Sequence, residues 1–354
     1  MRCLTQMRAR LVQAFWRCRA RVALLSAAVL ATMAATAGLA HAQSAPIGTG
    51  LVVIDTNLAD HAGKAAGTGM LLTSSGEILT NNHVIRDASS IKVVVPGTGH
   101  SYTAKVVGYD VGADVAVIQA TGARNLEPIA TGSSSTLKVG QPVTADGNAG
   151  GTGALAPSTG TVTALGRAIT VNDDQGGSES LTGMVETNAS LEPGDSGGPL
   201  LDSASKVVGM DTAAGVSSGG LKPGTSAHAY AIPINKALRI AKQVESGQAS
   251  TAVHAGSTAF LGVEVSTASA ASPGRTAAAG ATIAQVVHGG PAAAAGLAAG
   301  DTITAIGGHT VSTPMALGKL ILSEKPDAEV SVVYTDRSGA SHTASVKLGR
   351  GPPQ

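Results

Sequence analysis

The segment Gly194–Pro199, with the sequence Gly-Asp-Ser-Gly-Gly-Pro, has the composition that acyl-transfer chemistry requires. It places Ser196 in a glycine-rich hairpin, where the serine hydroxyl and nearby backbone N–H groups can face the same point. A serine hydroxyl is a weak nucleophile at neutral pH, so a histidine must accept its proton and a carboxylate must orient that histidine. Candidates for both lie upstream, in the order His, Asp, Ser.

The candidate proton acceptor is His83, which follows an apolar run that predicts a strand ending in a polar turn at a barrel edge. The candidate carboxylate is Asp114, because it directly precedes the β-branched run Val115–Ile118 and would be shielded from water there. Asp110 is the alternative, but it lies in 108–112, which favours a turn. The sequence therefore favours Asp114.

The elements that must position these residues are short strands, separated by turns rich in Gly, Ser, Asn and Asp. A turn near 131–133 divides the strands into two sets. The first set is predicted at 51–54, 67–72, 78–79, 91–95, 103–109 and 115–119. The second set is predicted at 142–145, 158–164, 168–171, 184–187, 199–201, 207–211 and 229–232.

A helix is predicted after these strands, over 235–247, with Asn235 as its N-cap and Gly247 as its stop. The small-residue stretch 248–258 shows no strong period and favours a linker. The 354 residues are enough for two domains with separate cores. The 46 glycines, and an apolar content of 43% with only 2% aromatic residues, favour a β-rich architecture with many turns.

The first 42 residues have the features of an export signal: an arginine-bearing start, an uncharged run over 22–40 and the small-residue cleavage motif Ala40-His41-Ala42. The alternative is an uncleaved membrane anchor, because the uncharged run is long enough to span a bilayer. Its many alanines make it weakly apolar, so cleavage is favoured. An exported chain is the expectation.

Removal of this leader leaves 18 Lys and Arg against 23 Asp and Glu, a formal charge of −5. A nucleic-acid partner is therefore not expected. Both cysteines, Cys3 and Cys18, lie in the leader, so neither a disulfide nor a thiol nucleophile is expected in the exported form. The other histidines are scattered without ligand spacing, and no metal or cofactor is predicted.

Four motifs together resemble those of the HtrA family (DegP, DegS), trypsin-like serine proteases, in its secreted actinobacterial branch with one PDZ domain. They are Thr80–Val84, Ala113–Val117, Pro193–Pro199 and Val207–Ala213. The resemblance implies a mainly β fold, a chymotrypsin-like double β-barrel followed by a PDZ domain. The implied domains are a signal peptide at 1–42, a protease domain at 43–247, a linker at 248–258 and a PDZ domain at 259–350.

The resemblance also implies roles for single residues. Ser196 would be the nucleophile, His83 the base and Asp114 the group that orients it, while the N–H groups of Gly194 and Ser196 would form the oxyanion hole. The family often has Asn where this chain has Asp195. In digestive enzymes an aspartate there pairs with a freed N-terminus, which nothing near 43–46 indicates, so its role stays open.

Three residues are candidates for the primary substrate pocket: Ser190, Leu191 and Ala214. Trypsin-like enzymes that cut after Lys or Arg carry an acid where this chain has Ser190, so basic specificity is not expected. Leu191 and Ala214 line the pocket by resemblance. The expected substrates carry small or medium aliphatic residues before the cut.

The loop Phe260, Leu261, Gly262 and Val263 resembles the one by which PDZ domains hold a C-terminal carboxylate through backbone N–H groups. The run 290–303 matches the helix, turn and strand of such domains. A peptide-binding helix is predicted over 313–322, with later strands at 329–334 and 344–348. The alternative is a small β domain without peptide affinity.

Three functional hypotheses follow. The first is an exported endopeptidase that acts on unfolded or damaged proteins and binds C-terminal peptides through its PDZ domain. The second is a PDZ-bearing binding or chaperone protein with a latent protease domain, and the third is a membrane-tethered protease. Family members commonly trimerise through aromatic residues near the mature N-terminus; 43–63 contains none, so a trimer is unsupported.

Overall fold

The computed structural model describes residues 48–58, 63–172, 178–212, 228–250, 252–266 and 280–354. The predicted signal peptide lies outside these residues. Within them, the strands β1 to β21 are Leu51–Leu58, Lys64–Leu71, Glu77–Thr80, Ala88–Val94, Ser101–Asp110, Val115–Ala120, Pro142–Ala145, Ser158–Asn172, Ser178–Thr187, Pro199–Leu201, Val207–Thr212, Ala229–Pro233, Val253–Ala255, Thr258–Phe260, Val263–Val265, Ala281–Val286, Thr302–Ile306, His309–Thr310, Glu329–Thr335, Ser341–Lys347 and Gly349–Gly351. The helices α1 to α4 are Asn82–Ile85, Ile234–Glu245, Pro291–Ala294 and Pro314–Ser323.

Two six-stranded antiparallel barrels form the larger part of the fold. The first has the strand order β5-β4-β1-β2-β3-β6 and is closed by pairing of β5 with β6. The second is a closed barrel with the order β10-β11-β12-β9-β8-β7. Aliphatic side chains fill both, for example Ile54 and Ile118 in the first and Val162 and Leu200 in the second. Each contributes about 1.5–3 kcal/mol through burial.

Helix α2 packs between the barrels. Its buried residues, spaced on one face, join a core cluster that takes residues from both barrels. The predicted N-cap, Asn235, is wrong: the cap position is Pro233, and Asn235 lies in the first turn. Its Oδ1 accepts from Ser134 N at 3.3 Å and its Nδ2 donates to Ser133 Oγ at 3.1 Å, so the amide serves a neighbouring loop.

Most predicted strands are present, usually longer by a few residues. The two runs predicted at 158–164 and 168–171 form one strand, β8. Its register against β9 shifts at several places near Gly166, so β-bulges lie where the sequence predicts a break between two strands. Gly166 has a φ of 72°, which a glycine adopts without strain. Strand β5 runs on to Asp110, so the predicted turn begins later, at residue 111.

The predicted linker contains strand β13, which pairs with β5 of the first barrel. At this crossing a side chain on Gly108 would overlap the carbonyl oxygen of His254, so only glycine fits. The next residues lead into the smaller domain, where Thr258 Oγ1 lies 3.0 Å from Tyr109 Oη of the barrel.

The smaller domain is a sheet in the order β15-β16-β17-β19-β20, with β18 beside β17 and a separate pair β14–β21. Helix α4 coincides with the predicted peptide-binding helix. Its N-cap, Thr313, accepts through Oγ1 from Ala316 N at 3.1 Å. Strand β15 ends the sheet order, so one of its edges faces away from the sheet. None of the helices in the described ranges has the length and apolarity needed to cross a membrane.

Candidate active site

His83 lies in α1, a single helical turn directly after β3, rather than in an open turn. Val84 and Ile85, the next two residues, are buried in the first barrel and fix this turn against it. The His83 side chain is 33% exposed, so solvent reaches part of the imidazole. Its Nδ1 lies 2.9 Å from Asp114 Oδ2 and 3.1 Å from Asp114 Oδ1.

Asp114 is buried and held from several sides. Its Oδ1 also accepts from the backbone N of His83 at 3.0 Å, and its Oδ2 accepts from Thr212 Oγ1 of the second barrel at 3.3 Å. Its own carbonyl accepts from Asn81 Nδ2 at 2.9 Å. A carboxylate at Nδ1 keeps the proton on that nitrogen and leaves Nε2 of His83 to accept one.

The alternative carboxylate, Asp110, points elsewhere. Its Oδ1 accepts from Ala113 N at 3.0 Å and closes the turn that carries Asp114. Burial raises the pKa of Asp110. The structure therefore brings Asp114, and not Asp110, to the histidine.

Ser196 lies in the hairpin before β10 and is anchored to both barrels. Its carbonyl accepts from Thr68 N of β2 at 2.8 Å. The following residue, Gly197, donates its N–H to the carbonyl of Asp211 in β11 at 2.9 Å. A side chain on Gly197 would overlap the Thr68 carbonyl, which explains glycine at this position.

Gly67 shows that the serine hairpin and the histidine helix meet. A Cβ atom built on Gly67 would lie 2.6 Å from the Val84 side chain and 3.3 Å from the Ser196 carbonyl oxygen. Val84 is the neighbour of His83. The helical turn that carries His83 and the hairpin that carries Ser196 thus pack against the same strand, β2, and His83 is bonded to Asp114.

Gly194 has a φ of 105°, and a side chain there would overlap the carbonyl oxygen of Asn148. The carbonyl of Pro193 accepts from Gly150 N at 2.8 Å. Because C=O and N–H point in opposite directions across a trans peptide, the Gly194 N–H is turned away from Gly150. This N–H has no acceptor among the described residues and is available to an oxyanion.

A buried aspartate, Asp195, lies in the serine hairpin, and two more, Asp146 and Asp211, lie beside it. Asp195 Oδ2 accepts from Glu192 N at 2.8 Å. Within the described part of the chain, the other oxygen of Asp195 and both oxygens of Asp146 and of Asp211 have no hydrogen-bond partner. Sequence reasoning missed Asp146 and Asp211; the available signal was an aspartate within or directly after an apolar strand.

Burial raises the pKa of all three groups. The pKa of Asp146 rises to about 6, because it is desolvated and because Asp195 lies near it. Desolvation also raises the pKa of Asp195, with a contribution from Glu192, and raises that of Asp211 well above its usual range. Each of the three groups therefore releases its proton at a higher pH than an isolated aspartate does.

The predicted pocket residues differ in position. Ser190 is exposed, and its N–H donates to Ser158 Oγ at 2.9 Å. Leu191 is half-buried and packs against the second barrel core. Ala214 lies outside the described residues. In the described ranges no three His, Cys, Asp or Glu side chains are grouped in a way that could hold a metal ion.

The predicted carboxylate-binding loop joins β14 to β15. The Leu261 carbonyl accepts from Ala292 N at 2.9 Å, and the Gly262 carbonyl accepts from Val287 N at 3.0 Å. Each of these carbonyls points towards its donor, Ala292 or Val287. The N–H groups of Gly262 and Val263, across the same peptide bonds, therefore point away from these donors. Gly262 has a φ of 78°, which favours glycine there. Phe260 ends β14 on the side of this loop.

Residues 67–210 match the family model described as a trypsin-like peptidase domain, and residues 259–348 match the PDZ domain model. The serine protease PepD of Mycobacterium tuberculosis is 33% identical over 312 residues, which are 85% of this chain and 64% of that protein. The periplasmic serine endoprotease DegP of Salmonella typhimurium is 33% identical over 287 residues, 80% of this chain and 57% of that protein.

This chain thus spans about three fifths of the length of these curated relatives. Among solved structures, the HtrA-type protease AlgW with a tripeptide is 28% identical, with a TM-score of 0.49. That alignment covers 87% of this chain and 95% of the AlgW chain.

Proposed function

Since this chain belongs to the HtrA-like family, trypsin-like peptidases with a PDZ domain, we propose that it is an exported serine endopeptidase that hydrolyses unfolded or damaged proteins. The observation that carries the proposal is the buried carboxylate of Asp114 bonded to His83, whose helical turn packs beside the Ser196 hairpin.

In the proposed reaction Ser196 Oγ attacks the scissile carbonyl carbon, while His83 Nε2 takes the hydroxyl proton. His83 then gives this proton to the leaving amine, and the acyl-enzyme forms. A water molecule, deprotonated by His83, releases the acyl group and restores Ser196. Asp114 stabilises the imidazolium in each half of the cycle, and the N–H groups of Gly194 and Ser196 bind the oxyanion.

We further propose small or medium aliphatic residues before the cut. The support is chemical: Ser190 supplies no negative charge that would attract Lys or Arg, and Leu191 adds an apolar side chain nearby. Cleavage of a peptide library followed by mass spectrometry tests this specificity.

The PDZ domain is proposed to bind C-terminal peptides, which would add as a strand beside β15 with their carboxylate at the N–H groups of Gly262 and Val263. Substrates that expose such termini would be recruited in this way. Export to the periplasm or the cell envelope is proposed from the predicted leader and from relatives named as periplasmic. N-terminal sequencing of the exported protein distinguishes a cleaved leader from an anchor.

A fluorophosphonate probe tests the proposed activity, because it reacts with an activated serine and not with an ordinary one. We expect labelling of the wild-type protein and none of Ser196→Ala, with loss of casein hydrolysis in the same variant. Both proteins should unfold at similar temperatures. If the wild type stays unlabelled even with unfolded substrate or a PDZ peptide present, the binding or chaperone hypothesis replaces this one.

A further inference from the structure

We propose that Thr68 is a positioning residue for hydrolysis, and that its buried hydroxyl sets the orientation of Gly194 in the oxyanion hole. The proposal rests on the proposed function, since it assigns a role within the same site. Thr68 lies in β2 of the first barrel, 126 residues before the glycine that it contacts.

The Thr68 hydroxyl links two loops of the second barrel. Its Oγ1 donates to the Gly194 carbonyl at 2.7 Å and accepts from Asn148 N at 2.9 Å. The side chain is fully buried, so water does not compete for either bond. Because the Asn148 N–H can only donate, the hydroxyl proton is committed to Gly194.

The backbone of Thr68 is fixed as well. Its N–H donates to the Ser196 carbonyl at 2.8 Å, and its carbonyl accepts from Thr80 Oγ1 at 2.7 Å. Thr68 thus holds the residue before and the residue after Asp195. The hydroxyl is therefore carried by a backbone segment that two further hydrogen bonds hold in place.

The consequence for catalysis comes from the two peptide units that flank the Gly194 Cα. The first is held through the Pro193 carbonyl by Gly150 N, and the second through the Gly194 carbonyl by Thr68 Oγ1. Glycine itself has little preference for one sign of φ. With both flanking units held, Gly194 keeps its φ of 105° and its N–H keeps one direction.

Thr68→Val removes the hydroxyl with almost no change of shape. It leaves the Asn148 N–H and the Gly194 carbonyl without their partner in a buried place, which is costly. The peptide unit after Gly194 then keeps only its other bond, from Asp195 N to the Glu192 carbonyl at 3.0 Å. Its orientation is held less firmly, and the N–H of Gly194 is less well directed at the oxyanion. Thr68→Ser keeps the oxygen and its two bonds.

The test compares Thr68→Val and Thr68→Ser in the full chain, with a peptide substrate and a peptide boronate that forms a tetrahedral adduct with the serine. For Thr68→Val we expect a fall in kcat of about 10- to 100-fold, a KM within about threefold of wild type, and a matching loss of boronate affinity. Thr68→Ser should recover kcat to within about threefold of wild type. A purely structural role would not separate kcat from KM in this way.

The proposal is overturned if folded Thr68→Val keeps wild-type kcat or wild-type boronate affinity. Should Thr68→Val fail to fold, Thr68→Cys replaces it, because its thiol has similar size and is a weaker donor and acceptor. Its kcat should lie clearly below that of Thr68→Ser, and equality would overturn the proposal. Failure of the proposed function is distinguishable, because the wild type itself would then be inactive and unlabelled.

Discussion

The two halves of the candidate active site are held by different kinds of interaction. In the acid–base half, Asp114 is buried but its carboxylate accepts from His83 and from Thr212, so its charge is compensated. In the serine half, backbone bonds hold the Ser196 hairpin, while five of the six carboxyl oxygens of Asp146, Asp195 and Asp211 have no hydrogen-bond partner among the described residues. One half depends on a paired charge, and the other contains carboxyl groups whose pKa values are raised by burial.

Burial alone therefore does not decide whether an aspartate in this site is favoured in its charged or in its protonated form. Asp114 and Asp211 are similarly buried, yet in the part of the chain that the structure describes only Asp114 has donors directed at its oxygens. A compensated carboxylate can stabilise a cation on its neighbour. An uncompensated one is favoured in its protonated form.

The substitution expected to reduce activity most removes the carboxylate that orients His83. Asp114→Asn should lower kcat/KM by about 10⁴-fold, because an amide beside Nδ1 favours the wrong tautomer of His83. Asp110→Asn is the matched control, since it changes a neighbouring buried aspartate that does not contact the histidine. Steady-state kinetics of both variants decide the assignment, and a larger loss in Asp110→Asn would reverse it.

A smaller loss is expected from a substitution in the proposed oxyanion hole. Gly194→Ala should lower kcat by about 10²- to 10³-fold, because the new methyl group overlaps the Asn148 carbonyl and turns the N–H out of the oxyanion hole. Gly153→Ala is the control: Gly153 also has a left-handed φ, 85°, but open space around its Cβ position. Strain alone would affect both variants equally in thermal stability and kinetics, and such a result would contradict the oxyanion role.

Much of this arrangement is predictable from local sequence. The strand before His83, the β-branched run after Asp114 and the glycine hairpin around Ser196 are each signalled within a few residues. The two-barrel fold expected from the motifs is confirmed. The domain boundaries and the site residues stay predictions.

The remainder depends on contacts between distant parts of the chain. Thr68 meets Gly194, and Asp146 meets Asp195, only after the barrels have closed. The helical turn at His83 and the true cap of α2 depend on which side chains a neighbouring element covers or binds. Tertiary partners of this kind leave no periodic pattern in the sequence.

The buried carboxyl cluster gives a prediction for stability. The folded-state pKa of Asp146 is raised to about 6 from an ordinary value of 3.8, so the folded state binds this proton more tightly than the unfolded state. Its contribution to stability is fully present below pH 3.8 and is lost as the pH rises through about 6. Asp211, whose pKa is also raised by burial, adds a contribution of the same sign.

Asp146→Asn should therefore unfold at a higher temperature than wild type at pH 7.5, by a few degrees, since about 2–4 °C corresponds to each kcal/mol in a domain of about 150–250 residues. The gain should be smaller at pH 4.5. Asp55→Asn, an exposed aspartate of β1, is the control and should show no such difference. Thermal unfolding followed by circular dichroism at both pH values measures it, and an equal gain at both would exclude the proton-linked explanation.

The smallest expected effect concerns the bridge between the halves. Thr212→Val removes one long hydrogen bond, 3.3 Å, to Asp114, which keeps its bonds to His83, so kcat/KM should fall only about two- to tenfold.

Combining Thr212→Val with Thr68→Val tests whether the two halves of the site are positioned independently. If the acid–base half and the oxyanion half are positioned independently, the loss in the double variant should equal the product of the single losses to within about twofold. A double variant no slower than Thr68→Val alone would mean that the two halves act as one unit, because a group already displaced has nothing further to lose when its partner is removed.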